Sequence, residues 1–305
     1  MKGMGLPTSV KGPLLIAGIL AIAYFGACLF LYLRQNRLIF FPAQVIETTP
    51  AELELQYEEV WIPVSQKSGK VERIHGWWIP SETPNSHILL YLHGNGVNIG
   101  ANVNHAARFH QLGFSVLLID YRGYGLSEGS FPTENTVFVD AETSWNYLVR
   151  DRGISPEQIF LYGHSLGGAI AVELAIRQPD AAGVIVQSSF TSMREMVDYR
   201  FNFWMFPIDL LLTHRFDSRA KMSQLQIPIL FIHGTADPEI PSEMSEQLYQ
   251  IAPEPKRLFL VPEAGHNNVA TIAGEAYFQA VRDFVVAAQA HQNTEISREE
   301  IQSYR

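Results

Sequence analysis

Short apolar runs alternate along most of this chain with longer stretches of helical spacing, and this alternation limits the fold more than any other feature. We predict strands at 53–64, 73–79, 87–92, 115–119, 158–162, 183–187, 229–232 and 258–261. Helical spacing lies between most of them, at 97–111, 135–150, 166–177 and 270–288. Strands that alternate with helices form a mainly parallel sheet with helices on both faces. The pattern therefore predicts the α/β fold class.

Two segments depart from this alternation. The polar residues 65–70 join the first two runs by a short turn, which predicts an antiparallel hairpin at the start of the sheet. Residues 191–222 have no strand pattern but include an aromatic stretch at 201–206, and we predict that they form a short helical cap over the sheet edge. One domain is expected over residues 38–290, followed by a polar tail at 291–305.

The N-terminal part of the chain has a different character. Residues 14–33 are apolar, and these 20 positions contain no charged side chain. At about 1.5 Å per residue a helix of this length spans the ~30 Å hydrocarbon core of a bilayer. We therefore predict a single-pass membrane anchor over residues 1–37, with a transmembrane helix at about 14–33. A cleaved signal peptide is the alternative, although no small-x-small cleavage site follows the run.

The flanking charges bear on the orientation of this anchor. Lys2 and Lys11 precede the apolar run, and Arg34 and Arg37 follow it, so the positive-inside rule gives nearly a tie. The free amino terminus favours a cytoplasmic N-terminus and an extracytoplasmic domain.

Charge and cysteine content exclude several classes of protein. All 31 acidic side chains follow residue 37, whereas four of the 22 basic ones lie within residues 1–37. Nucleic-acid binding needs a basic surface, so this class is excluded. Cys28 is the single cysteine, which excludes a disulfide framework and a multi-cysteine zinc site. With no H-E-x-x-H or comparable cluster either, we expect no metal and no cofactor.

A glycine-flanked serine supplies the main candidate for chemistry. The pentapeptide Gly163-His164-Ser165-Leu166-Gly167 follows a predicted strand and opens a predicted helix. A nucleophile elbow requires this strand-to-helix context, and glycines on either side let the neighbouring chain approach closely. The alternative is a glycine-rich helix cap with an idle serine. We interpret Ser165 as a nucleophile; His164 beside it is interpreted as structural, with its side chain pointing away.

A serine hydroxyl becomes a good nucleophile only when a base takes its proton. His266 is the candidate base, because it lies on a glycine-containing loop after the last predicted strand and can exchange a proton near neutral pH. Asp237 follows the strand at 229–232 and is the candidate that orients the histidine. An ordinary turn aspartate is the competing interpretation of Asp237, and Glu239 is the second candidate acid.

Developing negative charge on a substrate would need two N–H donors. The N–H of Leu166 lies at the start of a predicted helix, and the N–H of Asn95 lies in the loop after the strand at 87–92. We predict that these two groups form an oxyanion hole. His93 is interpreted as a brace for the loop.

The motifs at 92–96, 120–129, 163–168, 233–241 and 264–268 together resemble the α/β-hydrolase superfamily. The leading apolar run and residues 37–42 resemble in particular its membrane-anchored BEM46-like and ABHD13-like branch. The resemblance covers nearly the whole chain, and its order of serine, acid and histidine is that of this fold. It implies an eight-stranded sheet with an antiparallel second strand, and hydrolysis of an ester, thioester or amide through an acyl-enzyme on Ser165. The short aromatic cap departs from the family pattern, so the details of the acyl pocket do not carry over.

Two other functions remain as alternatives. Residues 94–100 followed by Asp120 resemble a dinucleotide-binding fingerprint, but its third glycine stands one position late and Ser165, Asp237 and His266 would have no role. The other alternative is a non-enzymatic hydrolase-fold binding module at a membrane. The expected partners of an enzyme are a small-molecule or lipid-like acyl substrate and the membrane itself.

The aromatic cap supports one further hypothesis. Residues 201–206, with Ile208 and residues 210–212, form a membrane-facing rim that admits apolar acyl chains. The alternative is that these side chains pack the cap onto the sheet. A link of about 20 residues from Arg34 to the first predicted strand reaches at most ~70 Å, so the anchor keeps the domain near lipid.

Overall fold

An eight-stranded sheet forms the centre of the computed structural model, which describes residues 8–66, 69–201 and 203–303. The strands are β1 (Phe41–Pro42), β2 (Glu58–Ser65), β3 (Val71–Ile79), β4 (Ile88–Leu92), β5 (Gly96–Val97), β6 (Ser115–Ile119), β7 (Ile159–His164), β8 (Gly183–Gln187), β9 (Ile229–Gly234) and β10 (Lys256–Val261). The helices are α1 (Thr8–Ile39), α2 (Val103–Gln111), α3 (Glu134–Asn146), α4 (Leu166–Arg177), α5 (Met193–Arg200), α6 (Ile208–Leu211), α7 (Ser218–Lys221), α8 (Ser242–Ile251), α9 (Val269–Ala273) and α10 (Glu275–Ser303).

The sheet has the strand order β10-β9-β8-β7-β4-β6-β3-β2. Strand β3 is antiparallel to both β2 and β6, and the other neighbouring strands are parallel. The predicted hairpin is confirmed, with Ser65 opposite Val71. Because parallel strands end on the same edge, the loops after β4, β7, β9 and β10 all leave the sheet on one side.

Side chains of the central strands alternate between two cores, as the period of two along a strand requires. On β4 and β7, Leu90 and Leu161 belong to one core, and their neighbours Tyr91 and Tyr162 belong to the other. The first core contains side chains of α3, α4 and α8, and the second contains side chains of α2, α9 and α10. The prediction of an α/β sheet covered on both faces is therefore confirmed.

Several predicted boundaries are wrong for local reasons. The first predicted strand, at 53–64, corresponds to β2, which starts at Glu58. Residues Pro50–Leu53 form a short 3-10 helix instead, which ends at Glu54 in a left-handed conformation (φ 58°). The helix predicted at 97–111 begins at Val103, since Gly96–Val97 pairs as a strand and Ile99–Asn102 is a 3-10 turn.

The C-terminal boundaries also differ. The helix predicted at 270–288 is two helices, α9 and α10, which are separated at Gly274 (φ 54°). The polar tail predicted at 291–305 continues α10 as far as Ser303, and residues 304–305 lie outside the described residues.

Helix α1 is longer than the predicted membrane helix. Its segment Gly12–Ile39 has 28 residues, and the most apolar 18-residue window within it has a mean hydropathy of 2.5 and is only 6% buried. By length and composition this segment can cross a membrane. Strand β1 follows almost directly and pairs in parallel with β5, with Phe41 opposite Gly96. Helix α1 is thus joined directly to the domain, without the predicted link of about 20 residues.

The cap consists of the short helices α5, α6 and α7 with their connections, inserted between β8 and β9. Its aromatic stretch is divided between solvent-facing and packed positions. Trp204 and Leu210 are each 80% exposed, whereas Ile208 and Leu212 are buried. Residue 202 lies outside the described residues.

Candidate active site

Ser165 occupies the sharp turn between β7 and α4. Its backbone has φ 56° and ψ −122°, a conformation that costs a non-glycine residue on the order of 1–3 kcal/mol and is held by its surroundings. The Ser165 N–H donates to the carbonyl of Gln187 (2.9 Å), and the hydroxyl of Ser189 donates to the Ser165 carbonyl (2.8 Å). Two strand-end groups from β8 and its loop therefore hold the strained turn.

The glycines of this turn are required by close contacts. A Cβ on Gly163 would lie 2.1 Å from the carbonyl oxygen of Gly167, and one on Gly167 would lie 2.1 Å from the carbonyl oxygen of Leu92. A side chain at Gly163 would push away the start of α4, and one at Gly167 would push α4 away from the end of β4. The pattern of Gly163 and Gly167 in the sequence thus reflects backbone packing around Ser165.

Asp237 and His266 meet above the sheet edge. The Nδ1 of His266 lies 2.7 Å from Oδ2 of Asp237, in hydrogen-bond contact, and both side chains are buried. The other carboxylate oxygen, Oδ1, accepts the N–H groups of Glu239 (2.8 Å) and Ile240 (3.0 Å). The loop after β9 therefore fixes the orientation of the carboxylate, and the carboxylate fixes the histidine ring.

Sequence reasoning missed His233, which also contacts this carboxylate. Its Nε2 lies 3.2 Å from Oδ2 of Asp237, and its Nδ1 lies 2.7 Å from the hydroxyl of Ser245. The signal was present, because His233 stands four residues before Asp237 at the end of the same strand. Burial by itself raises the pKa of Asp237, but the hydrogen bonds from His233 and His266 outweigh it and hold that pKa well below its usual value. Asp237 is thus an anion at neutral pH.

A cavity of about 350 Å³ lies over Ser165. Ser165 and His266 both line it, together with Asn95 and Glu239. The Nε2 of His266 is 4.0 Å from the Glu239 carboxylate, whereas its Nδ1 faces Asp237. The structure therefore brings the three predicted residues Ser165, Asp237 and His266 to one place, and Glu239 stands beside them on the solvent side.

His164 does not point away from the site as the sequence analysis expected. It lines the same cavity, and its Nε2 lies 3.1 Å from the carbonyl oxygen of His266. Burial lowers the pKa of His164 to about 3, with smaller contributions from the nearby His266 and His105. A neutral His164 can donate to the His266 carbonyl and so support the loop that carries His266.

The two predicted oxyanion donors come from different parts of the chain, Asn95 from the loop after β4 and Leu166 from the turn after β7. The N–H of Leu166 is the first of helix α4, and the first N–H groups of a helix have no partner within it. Asn95 lines the cavity, and within residues 8–66, 69–201 and 203–303 its N–H has no hydrogen-bond acceptor. Both N–H groups are therefore free to bind an oxygen of a substrate.

Hydrogen bonds from outside the predicted motif hold the Asn95 loop. The Asn95 carbonyl accepts the N–H of Phe41 (2.8 Å) and the hydroxyl of Tyr124 (2.7 Å). The Asn95 side chain donates to the carbonyl of Ile39 (2.8 Å), and the hydroxyl of Tyr121 donates to the carbonyl of His93 (3.1 Å). The end of α1 and the loop after β6 are thus built into the candidate active site. Residue spacing gave no signal for this, since the partners are distant in the chain.

Two buried groups support the same loop. His93 and Asp120 are fully buried, with Nε2 of the histidine 3.4 Å from Oδ1 of the aspartate, and that oxygen accepts the N–H of Ile99 (2.9 Å). This agrees with the prediction that His93 braces the loop, and it places Asp120 in the same framework. In the part of the chain that the structure describes, no three His, Cys, Asp or Glu side chains form a group that could hold a metal ion.

Comparisons with known proteins agree with this architecture. Residues 83–216 match the family model described as serine aminopeptidase, S33. An esterase from Pyrococcus furiosus, Pf2001, superimposes with a TM-score of 0.66 at 18% identity, over 82% of this chain and 98% of the esterase. The superposition shows the α/β-hydrolase fold, and the family match over residues 83–216 agrees with it.

Sequence relatives narrow the assignment. The protein bem46 of Schizosaccharomyces pombe is 32% identical over 266 residues, which cover 84% of this chain and 87% of that protein. An uncharacterized membrane protein of Saccharomyces cerevisiae, YNL320W, is 32% identical over 89% of this chain and 95% of its own length. The chain belongs to the BEM46-like branch of the α/β-hydrolases.

Proposed function

We propose that this protein is a membrane-anchored serine hydrolase that cleaves an ester, thioester or amide through an acyl-enzyme on Ser165. The observation that carries the proposal is the 2.7 Å contact between His266 Nδ1 and Asp237, at a cavity that Ser165 and His266 both line. Since Nδ1 carries the proton that Asp237 accepts, Nε2 of His266 is left to take a proton from the serine.

The proposed reaction has two halves. In the first, the Ser165 hydroxyl oxygen attacks the carbonyl carbon while His266 takes its proton, and the N–H groups of Asn95 and Leu166 bind the oxygen that becomes negative. His266 then gives the proton to the leaving alcohol, thiol or amine, and an acyl-enzyme remains. In the second half, water attacks the acyl-enzyme with His266 as base, and Ser165 recovers its proton as the acid leaves.

The membrane part of the proposal rests on α1. Its apolar segment Gly12–Ile39 is nearly unburied, and a relative similar over most of its length is named a membrane protein. We infer a single-pass anchor and, because the enzyme is held at lipid, an acyl or lipid-like substrate. The hydrogen bond from the Tyr24 hydroxyl to the Met205 carbonyl of the cap (2.8 Å) favours an uncleaved helix over a removed signal peptide, because Tyr24 lies within the apolar run.

The first experiment is labelling of the full-length protein by a fluorophosphonate probe, which reacts with activated serines. We expect the natural protein to be labelled and Ser165→Ala to be unlabelled, whereas Ser155→Ala, at an exposed serine of a loop, keeps full labelling. An unlabelled natural protein would favour the non-enzymatic binding module. Turnover of p-nitrophenyl esters, acyl-thioesters and amides of increasing chain length then identifies the bond that is cleaved.

The orientation of the anchor is a separate part of the proposal. We infer a cytoplasmic N-terminus and an extracytoplasmic catalytic domain from the free amino terminus and the near balance of flanking charge. Ser155→Cys places a thiol at an exposed position, while the natural Cys28 is buried. An impermeant maleimide should label Ser155→Cys in intact cells; labelling only after lysis would reverse the orientation.

A further inference from the structure

The anchor helix and the cap enclose a second cavity, of about 410 Å³. Residues of the C-terminal third of α1, including Phe30, Leu31 and Leu38, form one wall. Val197 and Phe203 are among the cap residues that form the other. We call this cavity the anchor–cap chamber. Its volume lies within the range of about 300–1,000 Å³ that is typical of ligand sites.

The lining of the anchor–cap chamber determines what it can hold. Of the side chains that line it, only Gln35 is polar, in the part of the chain that the structure describes. The Gln35 amide is already bonded, because its nitrogen donates to the carbonyls of Tyr32 (2.7 Å) and Leu211 (3.2 Å) and its oxygen accepts the N–H of Thr213 (2.8 Å). The chamber therefore offers a ligand only apolar contact, which suits a hydrocarbon chain and disfavours a polar molecule.

The tip of the cap, at Met205 and Phe206, contacts α1 at Tyr24, and the depth of this contact in a bilayer indicates that a hydrocarbon chain could come from lipid. The Tyr24 hydroxyl donates to the carbonyl of Met205 (2.8 Å), and its ring stacks on Phe206 with centroids 5.7 Å apart. Tyr24 stands nine residues before Leu33, the end of the apolar run, which is about 14 Å along a helix. If residues 14–33 span the ~30 Å hydrocarbon core, the cap tip lies within one leaflet.

The side chains around the tip agree with this depth. Phe201, Trp204, Met205 and Leu210 are all more than half exposed, and all are apolar. Large apolar side chains are stabilised by about 1.5–3 kcal/mol each when they leave water. The acidic residue next to Leu210, Asp209, forms an ion pair with Arg194 (2.8 Å). The exposed apolar surface of the cap is thus explained by contact with lipid.

The anchor–cap chamber also adjoins the candidate active site. Phe41 lines the chamber, and its partner in the β1–β5 pairing, Gly96, lines the cavity of Ser165. Helix α5, which contributes Val197 to the chamber, reaches the Asp237 loop where the Arg200 guanidinium donates to the Pro238 carbonyl (3.4 Å). The two cavities therefore adjoin at one pair of short strands, and one cap helix contributes to the surroundings of both.

We propose that the anchor–cap chamber binds the fatty-acyl chain of the substrate, drawn from the bilayer, so that the membrane helix is itself a wall of the acyl-binding site. This inference rests on the proposed serine hydrolase function. The anchor then has two roles: it holds the enzyme at lipid, and it selects substrates by the length of their acyl chain.

The test uses the full-length protein in phosphatidylcholine nanodiscs and two fluorophosphonate probes, one with an ethyl and one with a hexadecyl chain. Leu31→Trp fills the anchor–cap chamber from α1, and Leu33→Trp is the matched control, because Leu33 is on the same helix but is 66% exposed. Excluding about two methylenes from an apolar site weakens binding about tenfold. We therefore expect Leu31→Trp to lower the ratio of hexadecyl to ethyl labelling rates about tenfold, and Leu33→Trp to leave it as in the natural protein.

The possible failures are distinguishable. A natural protein that reacts with neither probe contradicts the hydrolase proposal. A protein that reacts with both, with the same ratio in Leu31→Trp, overturns the role of the chamber and leaves the hydrolase intact. If Leu31→Trp does not fold and loses both labels, Val197→Phe narrows the chamber from the cap and is judged by the same ratio.

Discussion

The loops that carry Ser165, Asp237 and His266 and the region where α1 meets the cap are held together in different ways. In the loops, the orienting groups have hydrogen-bond partners of defined geometry, such as the two N–H groups and two histidines around Asp237. Between α1 and the cap the contacts are mostly apolar, with the Tyr24–Met205 and Gln35–Leu211 hydrogen bonds among them.

This difference sets how each region should respond to substitution. A hydrogen bond is directional, so a change of one atom in the loops displaces a reacting group and should alter the rate steeply. Apolar contact is nearly non-directional and scales with the area buried, so changes between α1 and the cap should act gradually, on chain-length preference and membrane contact. Substitutions at the cap that change the rate steeply, or substitutions in the loops that change it only slightly, would contradict this distinction.

The largest effect is expected for Ser165→Ala. Removal of the nucleophile from a comparable triad lowers kcat about a millionfold and leaves only the contribution of the oxyanion hole and binding. Turnover of the best p-nitrophenyl ester by the full-length protein measures this, with thermal unfolding as the control for folding. Residual activity of more than a few per cent would show that Ser165 is not the nucleophile.

A somewhat smaller loss is expected for Asp237→Asn. An amide there cannot stabilise a protonated His266 and holds the wrong tautomer, and a comparable change in a serine protease lowers kcat about 10⁴-fold. Glu239→Gln is the matched control, because the Glu239 carboxylate lies 4.0 Å from Nε2 of His266 and is half exposed. A greater loss of kcat in Glu239→Gln than in Asp237→Asn would show that Glu239, and not Asp237, is the acid that orients His266.

Tyr124→Phe tests whether the brace of the Asn95 loop matters to the rate. The change removes the hydroxyl that donates to the Asn95 carbonyl (2.7 Å), and a net hydrogen bond is worth about 0.5–1.5 kcal/mol. We expect kcat to fall up to about tenfold with little change in KM, since the loop would bind the oxyanion less well. A change confined to KM would show that Tyr124 acts on substrate binding instead.

Stability should depend on pH through His164. Its pKa is about 3 in the folded protein against about 6.5 in an unfolded chain, so between these values only the unfolded state binds the proton. The contribution of His164 is therefore complete above pH ~6.5 and declines as the pH falls, by at most about 1.4 kcal/mol per pH unit. Thermal unfolding from pH 7.5 to 5 should show a shallower decline for His164→Gln. Parallel curves for the two proteins would disprove the buried, neutral state of His164.

The smallest effect concerns the cap tip. If Trp204 lies in the leaflet, brominated phosphatidylcholine in a nanodisc should quench its fluorescence, whereas the buried Trp77 should be insensitive. Full-length protein is compared with Trp204→Phe, and the quenched fraction should fall by about the share of one tryptophan among five. Equal quenching in both proteins would show that Trp204 lies outside the lipid. It would support the alternative that the aromatic side chains only pack the cap onto the sheet.

Local patterns predicted the central sheet well and its boundaries less well. Strands β4 and β6 to β9 agree with the predicted runs to within about two residues, because fully buried strands are continuous apolar segments between turns. The errors lie where a special backbone conformation interrupts a propensity, as at Glu54 and Gly274. Periodicity contains no information about such single-residue turns.

The candidate site divides in the same way. Ser165, Asp237 and His266 could be proposed from sequence because each follows a strand, and the parallel sheet places the ends of those strands together. Tyr121 and Tyr124 could not be assigned roles, since nothing about a single tyrosine in the sequence states which carbonyl it will meet.

The sequence by itself determined the fold class, the turn around Ser165 and an apolar segment long enough to span a bilayer. The fold class follows from the period of apolar residues, the turn from the missing Cβ atoms of Gly163 and Gly167, and the spanning segment from the length of the apolar run. All three are properties of residues that are neighbours in the chain. Only the tertiary structure decided that α1 ends on the Asn95 loop and that its apolar segment lies against the cap. Those contacts join residues as far apart as Tyr24 and Met205, separated by 181 positions. Their formation depends on the packing of the whole domain, which no local pattern encodes.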